Sequence, residues 1–311
     1  MDCADGRGPG GAVAGASVHL DVRGLRLHLR ARGPADGAPV LLLHGWLDQS
    51  GSFDLLVDAL HARATHPLRT LALDWRGHGD SGWVGPGGFY HLVEYVADLD
   101  GALDALGLPR SPVRLVGHSM GGAVALLYAA ARPERVAHVA MLDALPLLIP
   151  PAEIPARLTG YLDDLKRPRL RRPVASVEEA GARMRKANPL LPEAVALHLA
   201  RGGVGPDPAQ GGALAWKWDP WLRAQSPLPV TADALKELQA QVQAPLLVLR
   251  AGQTWLPDEA GLRERLAPAQ GPIEVATVAG TAHHLHLERP AEVAELLETA
   301  WLRSGPGGVR R

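Results

Sequence analysis

The sequence predicts an α/β fold: a mostly parallel central sheet with helices on both faces. Three observations predict it. Short, continuously apolar runs rich in Val and Leu alternate with longer segments of helical periodicity, as buried parallel strands alternate with crossover helices. The 311 residues are 47% apolar, an ordinary share for a chain with a sizeable core. A serine flanked by glycines, in Gly117-His-Ser-Met-Gly121, joins one apolar run to an alanine-rich helical segment.

Residues 1–16 read as a flexible tail, without the basic start and apolar core of a signal peptide. Residues 18–23 and 25–32 read as paired strands around Gly24. The turn Gly33-Pro-Ala-Asp-Gly37 leads to a buried strand at 40–43, and further strands are expected at 70–73, 113–116, 136–142, 246–250 and 273–278. Helical patterns lie between them at 53–61, 92–106, 120–131, 262–266 and 291–302.

The alternation stops between about residues 145 and 243. This stretch is rich in Pro and Arg, has helical patterns at 177–187 and 192–201, and gathers aromatics in Ala215-Trp-Lys-Trp-Asp-Pro-Trp221. No buried parallel strand is evident in it. A mainly helical insertion after the sixth strand fits better than a structureless loop, as a lid over the carboxyl edge where open α/β sheets bind ligands. The expected division is a core of residues 17–144 and 244–303, a lid at 145–243, and a flexible C-terminal tail at 304–311.

A formal net charge of -1 removes any electrostatic reason to expect nucleic acid or an anionic membrane as partner. No apolar run approaches the ~20 residues needed to span a bilayer. The single cysteine, Cys3, cannot form an internal disulfide and is compatible with a reducing compartment. The expectation is a cytoplasmic protein acting on a small molecule. Arg169, Arg171 and Arg172 are read as a solvated basic surface.

Ser119 has two readings. In G-x-S-x-G between strand and helix, small residues two before and two after let the elements approach, and the hydroxyl projects above the sheet. The alternative is a helix N-cap. A second signal follows another buried strand in His44-Gly-Trp-Leu-Asp48. Acyl transfer needs two donors facing a developing oxyanion, and the backbone amides of Trp46 and Met120 are the candidates. Asp48 is read as a loop or capping residue.

The segments HGWLDQSGSFDLLVDAL, DWRGHGDSG, VGHSMGGAVALLYA and a late His-rich stretch before ERPAEVAELL together resemble the α/β-hydrolase superfamily. HGWLD and GGALAWKWDPWLR resemble its serine hydrolase-like branch. The resemblance runs from about Leu20 to Leu302. It implies the α/β-hydrolase fold and makes DWRGHGDSG a structural loop, with no catalytic role for Asp74 or Arg76 and a structural one for His78.

A serine hydroxyl needs an imidazole base held in one tautomer by a carboxylate. The family pattern, a histidine followed five residues later by Glu and seven later by Pro, falls on His283, with Ala282 where glycine is common. His284 is the alternative base, and His286 is expected to pack near the helix start. Adjacent His283 and His284 are not the i, i+4 pair of a helical zinc site, so no metal is expected. The acid departs from the family pattern, since its usual position is Trp255. Two carboxylates remain. Asp258 sits at a helix start where Asp caps, and Asp143 ends an apolar strand where burial would need a partner such as an imidazole N–H. Asp143 is preferred.

These readings predict a serine hydrolase cleaving a carboxylic ester, lactone or thioester, with no metal or organic cofactor. Carbon–carbon bond hydrolysis and perhydrolysis use the same constellation, and a non-catalytic ligand-binding protein of this fold is the competing class. Trp46, His118 and Trp255 are expected to line the substrate pocket. Trp216, Trp218 and Trp221 are read either as an aromatic wall or as anchors of the lid.

Overall fold

The computed structural model describes residues 15–108, 112–167, 170–224, 226–227 and 230–304. Cys3, Arg169 and nearly all of both expected tails lie outside the described residues.

Strands β1 (Ala16–Val22) and β2 (Leu25–Arg32) form a hairpin closed by Arg23 and Gly24, at φ of 50° and 79°. Two residues at positive φ match the twist of the flanking strands, which is why β1 stops short of Arg23. The chain continues through β3 (Ala38–Leu43), β4 (Leu68–Leu73), β5 (Val113–His118) and β6 (Val136–Leu142). Strands β7 (Val204–Asp207) and β8 (Ala213–Trp216) pair only with each other, and β9 (Leu246–Ala251) and β10 (Ile273–Val278) complete the main sheet. That sheet has the order β1-β2-β4-β3-β5-β6-β9-β10. The pairs β1–β2 and β2–β4 are antiparallel, and the rest are parallel.

Period-2 alternation divides each central strand between two cores. Leu41, Leu43, Leu115 and Val248 face one layer, shared with α2 (Leu92–Ala105), α3 (Met120–Ala131) and α8 (Glu259–Leu266). Val40, Leu42, Val116 and Leu249 face the other, shared with α1 (Asp54–Arg63) and α10 (Pro290–Ser304). Burial on both faces explains why these strands read as unbroken apolar runs. The strand order reverses at β3, which has β4 on one side and β5 on the other. The crevice outside the carboxyl ends of β3 and β5 is therefore the place where such sheets bind ligands.

Between β6 and β9 the chain forms α4 (Ile154–Leu165), α5 (Val177–Ala187), α6 (Glu193–Gly203), the β7–β8 hairpin and α7 (Ala232–Gln239). Only α5 and α6 were legible as helices. The hairpin is a departure from the helical expectation: its strands are four residues each, too short for alternation to register. This insertion is tied to loops at the carboxyl edge of the sheet. The Trp46 indole donates to the Leu222 carbonyl at 3.0 Å, Gln49 Nε2 to that of Leu199 at 3.1 Å, and Asp219 N to that of Gly77 at 2.8 Å. Among the described residues, no helix is long and apolar enough to cross a membrane.

Candidate active site

β5 ends at His118 and α3 begins at Met120, so Ser119 alone makes the reversal. Its φ of 51° and ψ of −117° lie outside the regions that an L-residue adopts without strain. The flanking glycines permit this. A Cβ on Gly121 would overlap the Leu43 carbonyl oxygen, and one on Gly117 would strike the Gly121 backbone. The Ser119 hydroxyl makes no capping hydrogen bond to α3, against the N-cap alternative. Met120 N, in the first turn of that helix, donates to no acceptor among the described residues.

The loop after β3 lies against this elbow, since a Cβ on Gly45 would stand 3.3 Å from Ser119 Cβ. Two buried imidazoles hold it. His44 Nε2 accepts from Trp75 N at 3.1 Å while its Nδ1 donates to the Gly45 carbonyl at 2.7 Å. His78 Nε2 accepts from Leu47 N at 3.1 Å, and its Nδ1 donates to the Arg76 carbonyl at 3.0 Å. Burial holds the His78 pKa down to about 3, so the ring stays a neutral acceptor. Trp46 N, one residue from these anchors, has no acceptor among the described residues. Arg76 makes two contacts of 2.5 Å with Asp98 and one of 3.1 Å with Glu94, so the DWRGHGDSG segment is scaffold.

Asp143 extends β6 by one residue and then turns away at a φ of 46°. Its amide donates to the Leu249 carbonyl at 2.7 Å, and Ala251 N donates to its Oδ1 at 3.0 Å. The remaining oxygen, Oδ2, lies 2.7 Å from His283 Nδ1. A carboxylate only accepts, so Nδ1 carries the proton and Nε2 of His283 keeps its lone pair. The imidazole is about one-third exposed while the carboxylate is fully buried. The loop bearing His283 is fixed at both ends. Gln253 N donates to the Thr281 carbonyl at 2.8 Å, and Ala282 N donates to Glu288 Oε2 at 2.6 Å. Glu288 also accepts from Asn188 of the insertion, a contact across a hundred residues with no local signal in the residues around it.

The other expected site residues fall elsewhere. Asp258 caps α8, accepting from Gly261 N at 2.8 Å, while His283 Nδ1 is bonded to Asp143. Trp255 stands half-exposed in the loop after β9. His118 is a correction. It is buried behind the elbow, donating from Nε2 to the His283 carbonyl at 2.8 Å, because the strand's last residue points into the core when the next makes the turn. Burial, and then neighbouring His286, hold its pKa well below 6.5. His286 lies in the short helix α9 (Leu285–Glu288), packed on Phe53, and burial lowers its pKa in the same way. Arg171 is also a correction: instead of a solvated face it donates to the Trp216 carbonyl at 2.6 Å, pairs with Asp207 and covers the Trp83 ring. Trp218 packs on the main core under Arg223, and Trp221 meets Phe89 edge to face, so both anchor the insertion.

A mostly parallel sheet whose fifth strand ends in a glycine-flanked serine at positive φ is the architecture of the α/β hydrolases. The chain belongs to the alpha/beta hydrolase family, whose model matches residues 40–296. It is 31% identical over 280 residues to a serine hydrolase-like protein of Danio rerio, covering 85% of this chain and 82% of that one. Among solved structures, a hypothetical protein of Pseudomonas aeruginosa PAO1 is 32% identical with a TM-score of 0.80, covering 93% of this chain and 98% of that one. The thioesterase domain from the curacin biosynthetic pathway is 26% identical with a TM-score of 0.80, covering 92% of this chain and all of that one (100%). These findings make the protein a hydrolase of this family.

Proposed function

We propose that this hydrolase cleaves a carboxylic ester through an acyl-enzyme on Ser119. The observation that carries the reading is the 2.7 Å link from buried Asp143 to His283, which leaves the His283 Nε2 lone pair to take the serine proton. Ser119 Oγ attacks the carbonyl carbon as that proton moves to Nε2. The oxyanion is met by the amides of Trp46 and Met120, whose backbone positions flank the elbow. The alkoxide leaves with the proton from His283. Water, deprotonated by the same nitrogen, then attacks the acyl carbon; the bond from that carbon to Ser119 Oγ breaks, Oγ takes the proton back from His283, and the acid is freed. The insertion acts as a lid, and Trp46, bonded to Leu222, is its contact with the oxyanion loop.

Thioester cleavage is the second reading, supported by the likeness to the curacin-pathway thioesterase domain. The same attack serves both, the leaving atom being sulfur instead of oxygen.

The test is covalent labelling by a fluorophosphonate probe, followed by turnover of matched aryl ester and acyl thioester panels. Labelling is expected on wild type and lost in Ser119→Ala. A folded wild-type protein that resists the probe and turns over neither panel would make this a binding protein of hydrolase fold.

A further inference from the structure

Asp48 from the loop after β3, His118 from the end of β5 and His286 from α9 converge on one interior cluster beside the elbow. One ligand-type atom of each lies within 4.8 Å of the other two. Each of the three also carries orphaned atoms: Asp48 Oδ2, His118 Nδ1 and both ring nitrogens of His286 are buried without a hydrogen-bond partner among the described residues. Such groups are rare in native interiors, where an unmet lone pair is costly, and several in one place point to an occupant.

The tautomer of His118 sharpens this. Its Nε2 faces the His283 carbonyl oxygen, which can only accept, so Nε2 holds the proton and Nδ1 presents a lone pair. A ring nitrogen tied to a backbone carbonyl while the other is open is the arrangement of a metal-ligating histidine. The His118 and His286 rings are 4.5 Å apart between centroids and tilted by 47°, and Phe53 backs His286 at 5.1 Å. Gly45 leaves room at the open nitrogen, because a Cβ there would stand 3.0 Å from His118 Nδ1. A second cluster of similar composition, His28, Asp74 and Asp80, differs in the decisive respect. Asp74 there is already filled by His28, Ser50 N and Asp80 N.

We propose that Asp48, His118 and His286 bind one divalent transition-metal ion of the zinc class. Two imidazole nitrogens and one carboxylate oxygen suit zinc or cobalt rather than calcium or magnesium, which take oxygen ligands. With bonds of about 2.0–2.2 Å, the ligand atoms of a tetrahedral ion stand roughly 3.3–3.6 Å apart, so small side-chain rotations close the set. Asp48 is only partly buried and provides the entry side, where solvent takes the fourth position. The site is separate from Ser119, His283 and Asp143. Because His118 precedes Ser119 and bonds the His283 carbonyl, a bound ion ties the elbow to the loop of the base.

The experiment uses the untagged full chain, stripped with chelator and titrated with Zn²⁺ by calorimetry and with Co²⁺ by absorption. One equivalent is expected, with an intense four-coordinate cobalt spectrum that Zn²⁺ bleaches. Asp48→Asn and His286→Gln should each weaken binding by more than the about tenfold to hundredfold that loss of a ligand's supporting partner costs, whereas His283→Gln should retain it. Zinc should raise the melting temperature of wild type and leave that of Asp48→Asn in place, with apo melting curves reporting that each variant folds. Absence of stoichiometric binding to wild type overturns the proposal. Binding that His283→Gln removes and Asp48→Asn keeps overturns it too, and so does a weak, water-type cobalt spectrum from wild type.

Discussion

Among the described residues, two Ser, His, Asp sets differ in an instructive way. Ser17, His28 and Asp74 form an unbroken hydrogen-bonded chain, Oγ to Nε2 at 2.8 Å and Nδ1 to Oδ2 at 2.7 Å. Asp143 and His283 repeat the carboxylate half at the same 2.7 Å, and the His283 ring packs on that of His118, the residue before Ser119. By residue type and contact the first set is the more complete. Its serine, however, sits within the β1–β2 ladder, whose amides are spent on strand pairing, and no helix begins there. Its carboxylate is filled by three donors and its imidazole is almost fully buried. Ser119 instead stands on a strained turn with unspent amides, and its imidazole is partly open. On the proposed reading, what separates a catalytic set from a structural one is its surroundings, the turn, the free donors and the access, more than the chain of contacts.

The contrast is open to test, beginning with the largest effect. Ser119→Ala is expected to lower ester turnover by about 10⁶, the loss usual for a nucleophile, while Ser17→Ala leaves it within a few-fold. Equal losses in the two variants would erase the distinction. Asp143→Asn should reduce turnover by roughly 10⁴, since the amide can hold the imidazole in the wrong tautomer. In Asp74→Asn the damage should be to folding stability, with turnover per folded molecule preserved, as seen by pairing urea denaturation with active-site titration.

The scaffold imidazoles give a pH signature of their own. Burial depresses His78 to about 3 and His138 to about 4, from 6.5, so the unfolded chain takes up protons that the folded chain refuses. Stability is then complete above about pH 6.5 and falls as pH drops towards 4, by about 1.4 kcal/mol per pH unit for each such group. His138→Gln should make the urea midpoint less sensitive to pH between 6.5 and 4; an unchanged slope would refute the assignment. Smallest is Asp258→Ala, which removes the α8 cap and should cost about 1 kcal/mol without altering turnover. A catalytic deficit there would return Asp258 to the reaction.

Much of this was legible in the residues. The elbow could be found because its sterics act over five consecutive positions, and the α3 limits at 120 and 131 coincide with the expected ones. His283 followed from the family spacing to Glu288 and Pro290, and the Glu288 contact with Ala282 N gives that spacing a physical basis. The preference for Asp143 rested on the cost of burying a carboxylate at the end of an apolar strand, and the side chain is fully buried with both oxygens bonded. The helices α4 and α7 and the β7–β8 hairpin are not legible in the same way: α4 and α7 stand in or next to proline-rich stretches that mask them, and the hairpin strands are four residues each.

What the sequence determined by itself is local: which runs are strands, which are helices, and where a glycine-framed serine must turn. These are set by side-chain period and backbone sterics within a few residues. Only the tertiary structure decided which carboxylate meets His283, that His118 turns inward, and that Asp48 joins His118 and His286. Asp143 and His283 are neighbours because β6 and β9 are adjacent in the sheet and the loop after β10 folds back over their ends. Strand order comes from the packing of the whole chain, and no single segment encodes it.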